Sequence, residues 1–227
     1  MLNILRNLDY SIIINALIAV IPALISITFH EFSHGFVAYK LGDNTAKSMG
    51  RLTLNPLKHV DIFGLIMMAV FHFGWAKPVP INMFRFKNPK RGMALTAAAG
   101  PISNLILCVV FLFLYGLCFR PLCSGGAGRI VLQMLYSAAV LNIALAVFNV
   151  IPIPPLDGSK VLFSFFSDEN YVKLMRLEKY GMIIIAALII FFDRSGMASP
   201  VSSVVSFLLE KLFFIAEAGD SIASAIF

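Results

Sequence analysis

The chain has 227 residues, of which 59% are hydrophobic and only 13% charged, and its formal charge is +6. A soluble domain of this size carries about 25% charged residues, so water is excluded as its main solvent. The positive balance does not call for nucleic acid, because basic loops beside membrane spans serve topology.

Apart from histidine, no charged residue falls between Asp9 and Glu31, Asp61 and Lys77, Arg91 and Arg120, or Arg129 and Asp157. Three of these gaps reach the roughly 20 residues that a helix needs to cross a bilayer. The first span is placed at about 10–39. Its apolar run, Ser11 to Phe29, is too long for the core of a signal peptide, and Asp9 spoils the basic flank, so it reads as a retained helix. A basic loop follows from Lys40 to Asp61. Residues 62–76 are short for a span and hold Gly64, Gly74 and His72, which suits a re-entrant element. Pro78 and Pro80 then forbid regular helix. The second span is expected at 93–119, interrupted early at Gly100-Pro101. The third, 130–150, ends in Ile151-Pro152-Ile153-Pro154-Pro155. A polar helical stretch lies around Asp168 to Lys179, and two shorter apolar runs cover 181–192 and 201–209.

The expected fold is an all-α polytopic membrane protein. About three core transmembrane helices and a re-entrant element are joined by one or two C-terminal helices. All of 1–227 is read as one membrane-embedded domain, with its core at 10–166 and C-terminal helices at 167–227. Cys108, Cys118 and Cys123 form no CxxC pair, so they read as packing residues. If 62–76 dips in and returns, Lys40, Lys47, Arg51, Lys58, Lys77, Arg85, Lys87, Lys90 and Arg91 share one face with Lys160, Lys173, Arg176 and Lys179. Arg6, Arg120 and Arg129 lie opposite, which puts the basic face in the cytoplasm. Were 62–76 a true span, this asymmetry would collapse.

His30-Glu31-Phe32-Ser33-His34 is an H-E-x-x-H pattern at the end of the first span. On a helix, i and i+4 share a face, so both imidazoles can reach one zinc ion, and Glu31 beside them can act as general base. Ionisable groups at a membrane helix end are costly unless they pair or bind something. A catalytic zinc takes three protein ligands and keeps one position open. Asp157, just after the Pro154-Pro155 break and on the same side, is the best third candidate. Asp193 and Asp61 compete. A lone Asp before Gly is otherwise an ordinary turn residue.

Five stretches together resemble the site-2 protease family of intramembrane zinc metallopeptidases, in its compact form without a PDZ domain. They are HEFSHGFVAYKLGD (30–43), RLTLNPLKHVD (51–61), GWAKPVPIN (74–82), AAAGPISNL (97–105) and FNVIPIPPLDG (148–158). The resemblance implies His30, His34 and Asp157 as ligands of one zinc per chain and Glu31 as catalytic base. It also implies Asn149 as a contact to the substrate backbone. The chain departs from the family at Ile62, where Pro often follows Asp, and at Met83, where Pro often follows Asn; both lie around the presumed re-entrant region. Asn104 and Asn142 read as helix-packing contacts. His59 reads as a loop histidine, solvated or bonded locally, and His72 as a packed one.

The expected function is intramembrane proteolysis of membrane-spanning proteins, of the regulated kind, in the lipid bilayer of a prokaryotic cell membrane, with the site toward the cytoplasm. A helical substrate must unwind before its carbonyls can be attacked, and the stretch from Gly64 to Asn82 is the candidate edge for holding it by β-addition. No nucleic acid is expected. Substrate identity and oligomeric state are not legible. The rival reading is a metal-ion transporter or metal-binding membrane protein, since buried His and Asp also suit ion pathways. Against it stand the placement of Glu31 and the lack of an inverted repeat.

Overall fold

The computed structural model describes residues 10–61, 63–64, 76–176, 178–195 and 199–226. Among these, regular structure is entirely helical. Helix α1 spans Tyr10–Lys40, followed by the short α2 at Thr45–Ser48. The two longest apolar helices after it are α3, Pro89–Leu122, and α4, Gly126–Val150. Then come α5 (Asp157–Phe163), α6 (Asp168–Met175), α7 (Glu178–Ser195), α8 (Pro200–Leu212) and α9 (Phe214–Ile226). Helices α1, α3 and α4 are long and apolar enough to cross a membrane.

Local chemistry sets the ends. Asn88 caps α3 by accepting from the Arg91 N–H at 3.1 Å, with Pro89 in the first turn. Ser199 and Pro200 start α8 in the same way. These are the residues favoured at an N-cap and at the first helical position. Pro152 and the residues after it stop α4. The expected interruption at Gly100-Pro101 is absent, and α3 runs unbroken through Pro101, as α1 does through Pro22. A proline removes one helical hydrogen bond, and packing against neighbouring helices lets an apolar helix absorb that loss. The C-terminal part also holds one more helix than hydropathy indicated. Glu217, Gly219, Asp220 and Ser221 dilute the apolar signal of α9.

The packing of α3 is inside-out by the standard of a soluble helix. Thr96, Gly100, Asn104, Cys108, Leu112 and Gly116 are buried at four-residue intervals, whereas Ile102, Ile106 and Val110 are exposed. Small and polar groups face the bundle and large apolar ones face outward, as expected in lipid. Helix α4 returns antiparallel beside α3, and α1 packs on both. Asn142 ties α4 to α1 by donating to Ser26 Oγ at 2.8 Å, so its packing role holds. Val205 of α8 joins Cys108, Leu112, Ala139 and Ile143 in the apolar core. Helix α9 lies against α3 so closely that a Cβ on Gly116 would sit 1.8 Å from the Ala216 carbonyl oxygen. Arg120 and Asp220 clamp the same contact with two hydrogen bonds, of 2.7 and 3.0 Å.

The expected re-entrant element and His72 lie outside the described residues, but the flanks of that segment are visible. They meet. The Lys77 N–H donates to the His59 carbonyl at 2.9 Å, and the Asn82 N–H to Asp43 Oδ2 at 2.6 Å.

Candidate metal centre

Three elements converge on His30, His34 and Asp157. Helix α1 supplies His30 and His34 from consecutive turns. The turn at 151–156 reverses the chain after α4, so Asp157, the first residue of α5, faces both rings. Gly158 permits that tight return, since a Cβ there would lie 2.0 Å from the Val150 carbonyl oxygen. The backbone of α3 forms the floor. A Cβ on Gly100 would fall 2.5 Å from the Cε1 atoms of both His30 and His34.

The two rings are oriented from α3. His34 Nδ1 lies 2.7 Å from the Thr96 carbonyl, which can only accept, so Nδ1 carries the hydrogen. His30 Nδ1 lies 2.8 Å from Asn104 Oδ1. Both Nε2 atoms therefore turn lone pairs toward one point. They are 3.0 Å apart, and Asp157 Oδ2 lies 3.2 Å from one and 3.1 Å from the other. With neither Nε2 protonated, this carboxylate oxygen has no donor despite its burial. Three electron-rich atoms crowded together call for a cation. Tetrahedral zinc with bonds near 2.0 Å sets its ligand atoms about 3.3 Å apart, so two imidazoles and one carboxylate at this spacing fit it. Bonding of each outer ring nitrogen to a fixed acceptor is the usual support of metal-binding histidines.

Glu31 stands beside this triangle, and its Oε2 accepts the Val79 N–H at 2.8 Å. Asn149 lines the same cavity, and its amide donates to the Leu145 carbonyl at 3.0 Å in its own helix. Of the competing acids, Asp61 is spent locally on the Gly64 N–H at 2.9 Å. The side chain of Asp193 lies outside the described residues. Among the described residues, the one group able to hold a metal is His30, His34 and Asp157.

One packing expectation changes: Asn104 is more than a packing residue, because it orients His30. Of the two readings of His59, local bonding holds, with the ring buried and Nε2 bonded to the Thr53 carbonyl at 2.8 Å. The described part of the expected substrate edge, 76–82, is not a strand, and its main chain is largely engaged. The carbonyls of Lys77 and Pro78 accept from Arg51 at 2.8 and 3.1 Å, and the Val79 N–H is taken by Glu31. Thr96 and the Val79 amide were not singled out, and Gly100 was read only as part of a break in the second span. For Thr96 and Gly100, the four-residue stripe of small and polar residues in an apolar span was the available signal.

Two cavities open on the site. A smaller one, of 170 Å³, contains the triangle, Glu31 and Lys160. A larger one, of 260 Å³, adjoins His30, Glu31 and Asn149 and is walled by Val20, Leu24, Ile27, Leu145 and Phe148.

Comparison with known proteins agrees with the geometry. A model of peptidase family M50 matches residues 18–192. YwhC of Bacillus subtilis is 42% identical over 201 residues, covering 86% of this chain and 90% of that protein. Rip2 of Mycolicibacterium smegmatis is 29% identical over 198 residues, covering 79% and 74%. MJ0392 of Methanocaldococcus jannaschii is 27% identical over 174 residues, covering 76% and 42%. All three bear zinc metalloprotease names. No solved structure matches the chain.

Proposed function

Because the chain belongs to peptidase family M50, a zinc metalloprotease family whose multi-pass helical character it shares, we propose that it cuts peptide bonds of membrane-spanning proteins within the bilayer. His30, His34 and Asp157 hold one zinc, Glu31 is the general base of the H-E-x-x-H pattern, and Asn149 meets the substrate main chain near the cut bond. The substrates are those of regulated intramembrane proteolysis. The observation that carries the reading is the Asp157 oxygen, buried without a donor, 3.1–3.2 Å from two imidazole nitrogens whose outer sides are already bonded.

Zinc held there supplies Lewis acidity and makes water acidic enough to yield a nucleophile near neutral pH. The chain's own residues do the rest. The Val79 N–H fixes one Glu31 oxygen and leaves the other to take a proton from water and pass it to the leaving amine. The apolar walls of the larger cavity suit an aliphatic or aromatic substrate side chain beside the cut bond. Unwinding of the substrate helix precedes attack, since helical carbonyls are occupied by their own hydrogen bonds.

Two further features support the membrane setting. Residues 59 and 77 are hydrogen-bonded to each other, which brings the two flanks of 62–76 together and supports the proposed re-entrant element. The excess of Lys and Arg on that side faces the cytoplasm, and with it the site. The packing of α8 and α9 onto α3 and α4 supports one membrane-embedded domain over 1–227, its core at 10–166. Exposed apolar residues such as Ile102, Ile106, Val110 and Ile190 fit contact with lipid in a prokaryotic cell membrane.

Glu31→Gln tests this reading. The amide keeps the shape and cannot accept the proton, so zinc content stays at one per chain while cleavage of a single-span substrate falls about 10²–10⁴-fold. Undiminished cleavage in the mutant would remove Glu31 from the chemistry and overturn the proposal.

A further inference from the structure

Among the described residues, Lys160 is the one Lys or Arg lining the cavity that holds the metal-binding triangle. It lies one turn after Asp157 on α5, so the two side chains share a face. Its Nζ is 3.8 Å from Asp157 Oδ1, beyond hydrogen-bonding distance, while only 21% of the side chain is exposed. Among the described residues its ammonium makes no hydrogen bond, so its three hydrogens are open to acceptors brought into the cavity.

The other polar groups around it are already committed. The imidazoles donate outward, to Asn104 and Thr96, and present lone pairs inward. The carboxylates of Glu31 and Asp157 can only accept when ionised. Asn149 spends one amide hydrogen on Leu145. A substrate unwound in this cavity brings main-chain carbonyl oxygens, each needing a donor in a poorly solvated space. Among the described residues, Lys160, with three hydrogens, is the main free side-chain donor there, and the second amide hydrogen of Asn149 is the minor one.

We propose that Lys160 is a substrate-facing catalytic residue whose ammonium donates to a carbonyl oxygen of the bound peptide at or next to the cut bond. The assignment rests on the protease reading. It differs from a role in fixing Asp157, which would act on the metal rather than on the substrate. A donor aimed where negative charge develops on an oxygen is typically worth about 10²–10³-fold in turnover.

The test uses the full-length protein in detergent or vesicles with one single-span membrane substrate, and compares wild type, Lys160→Met and Lys160→Arg. Expected for Lys160→Met is one zinc per chain and a kcat/KM about 10²-fold below wild type. Lys160→Arg, which keeps donors and charge and guards against misfolding of the Met variant, recovers most of that loss. Loss of zinc in Lys160→Met would overturn the assignment in favour of support for Asp157. Wild-type kcat/KM in Lys160→Met would overturn it alone, leaving the protease reading intact. A zinc-loaded wild type that cuts no membrane peptide would sink the protease reading and this assignment with it.

Discussion

Asn104 and His30, 74 positions apart in the chain, are joined by a buried hydrogen bond of 2.8 Å between Oδ1 and Nδ1. Helix α3 thereby decides which nitrogen of an α1 histidine faces His34 and Asp157. The expected result of Asn104→Leu, which keeps the branched shape and removes the acceptor, is zinc binding weakened about 10- to 100-fold with helical content unchanged. Competition against a chelator measures it. Unaltered zinc affinity would return Asn104 to a packing role.

Gly100 carries a second prediction about the same floor. A methyl group there would stand 2.5 Å from ring atoms of both histidines, inside van der Waals contact. Gly100→Ala is therefore expected to lose most bound zinc and most cleavage, although alanine favours helix. Gly125→Ala, where a Cβ meets nothing within 4 Å, is the matched control and keeps both. A fully zinc-loaded Gly100→Ala protein would contradict the floor described here.

The spans and the metal pattern were legible because each rests on local spacing: long gaps between charges, and His30 and His34 one turn apart. From position alone Asp157 was legible only as the best of three acids, with the family resemblance to single it out, since its approach depends on the reversal at 151–156, which no periodicity encodes. The Thr96 and Val79 contacts use main-chain atoms and are independent of residue type, so sequence carries no mark of them. Helix α9 was missed for another reason. Its Glu217 and Asp220 interrupt the apolar run, while Gly219 and Ala216 serve close packing on Gly116.

That packing gives a third prediction. Gly116→Leu forces α9 off α3, because even a Cβ would overlap the Ala216 carbonyl oxygen at 1.8 Å. The midpoint of thermal unfolding in detergent should fall, as is usual for overpacking in a tight interface. Zinc should remain at low temperature, because the contact lies four turns along α3 from Gly100. An unchanged midpoint would mean that α9 does not dock as described.

Arg51 yields a fourth. Its guanidinium holds the carbonyls of Lys77 and Pro78, just before the Val79 N–H that fixes Glu31. Arg51→Met should leave zinc bound, since no ligand is touched, yet lower kcat about 10-fold by loosening the base. Proteolytic nicking within 77–82 should rise in parallel. Wild-type kcat together with wild-type resistance to nicking would show that the strap does not govern Glu31.

The last prediction concerns the segment between Asp61 and Ala76. Its flanks are joined by Lys77 to His59 and Asn82 to Asp43, bonds of 2.9 and 2.6 Å that support the proposed re-entrant reading. Residues 47 and 87, on either side of these joints, should therefore be open to reagents from the same face. Helix α3 then carries the chain across, its 34 residues spanning about 51 Å at 1.5 Å each, well beyond a hydrocarbon core of about 30 Å. Cys123, exposed just after α3, should be open from the opposite face, whereas Cys108 is buried. The measurement is labelling with a membrane-impermeant thiol reagent, in intact cells and in inverted vesicles. It uses Lys47→Cys and Lys87→Cys in a chain stripped of native cysteines, with Cys123 restored alone as the reporter of the far side. Positions 47 and 87 should label only in inverted vesicles, and Cys123 only in intact cells. Opposite accessibility at 47 and 87 would make 62–76 a true crossing and break the basic-face assignment. Labelling of both only from outside would keep the re-entrant geometry but turn the metal site away from the cytoplasm.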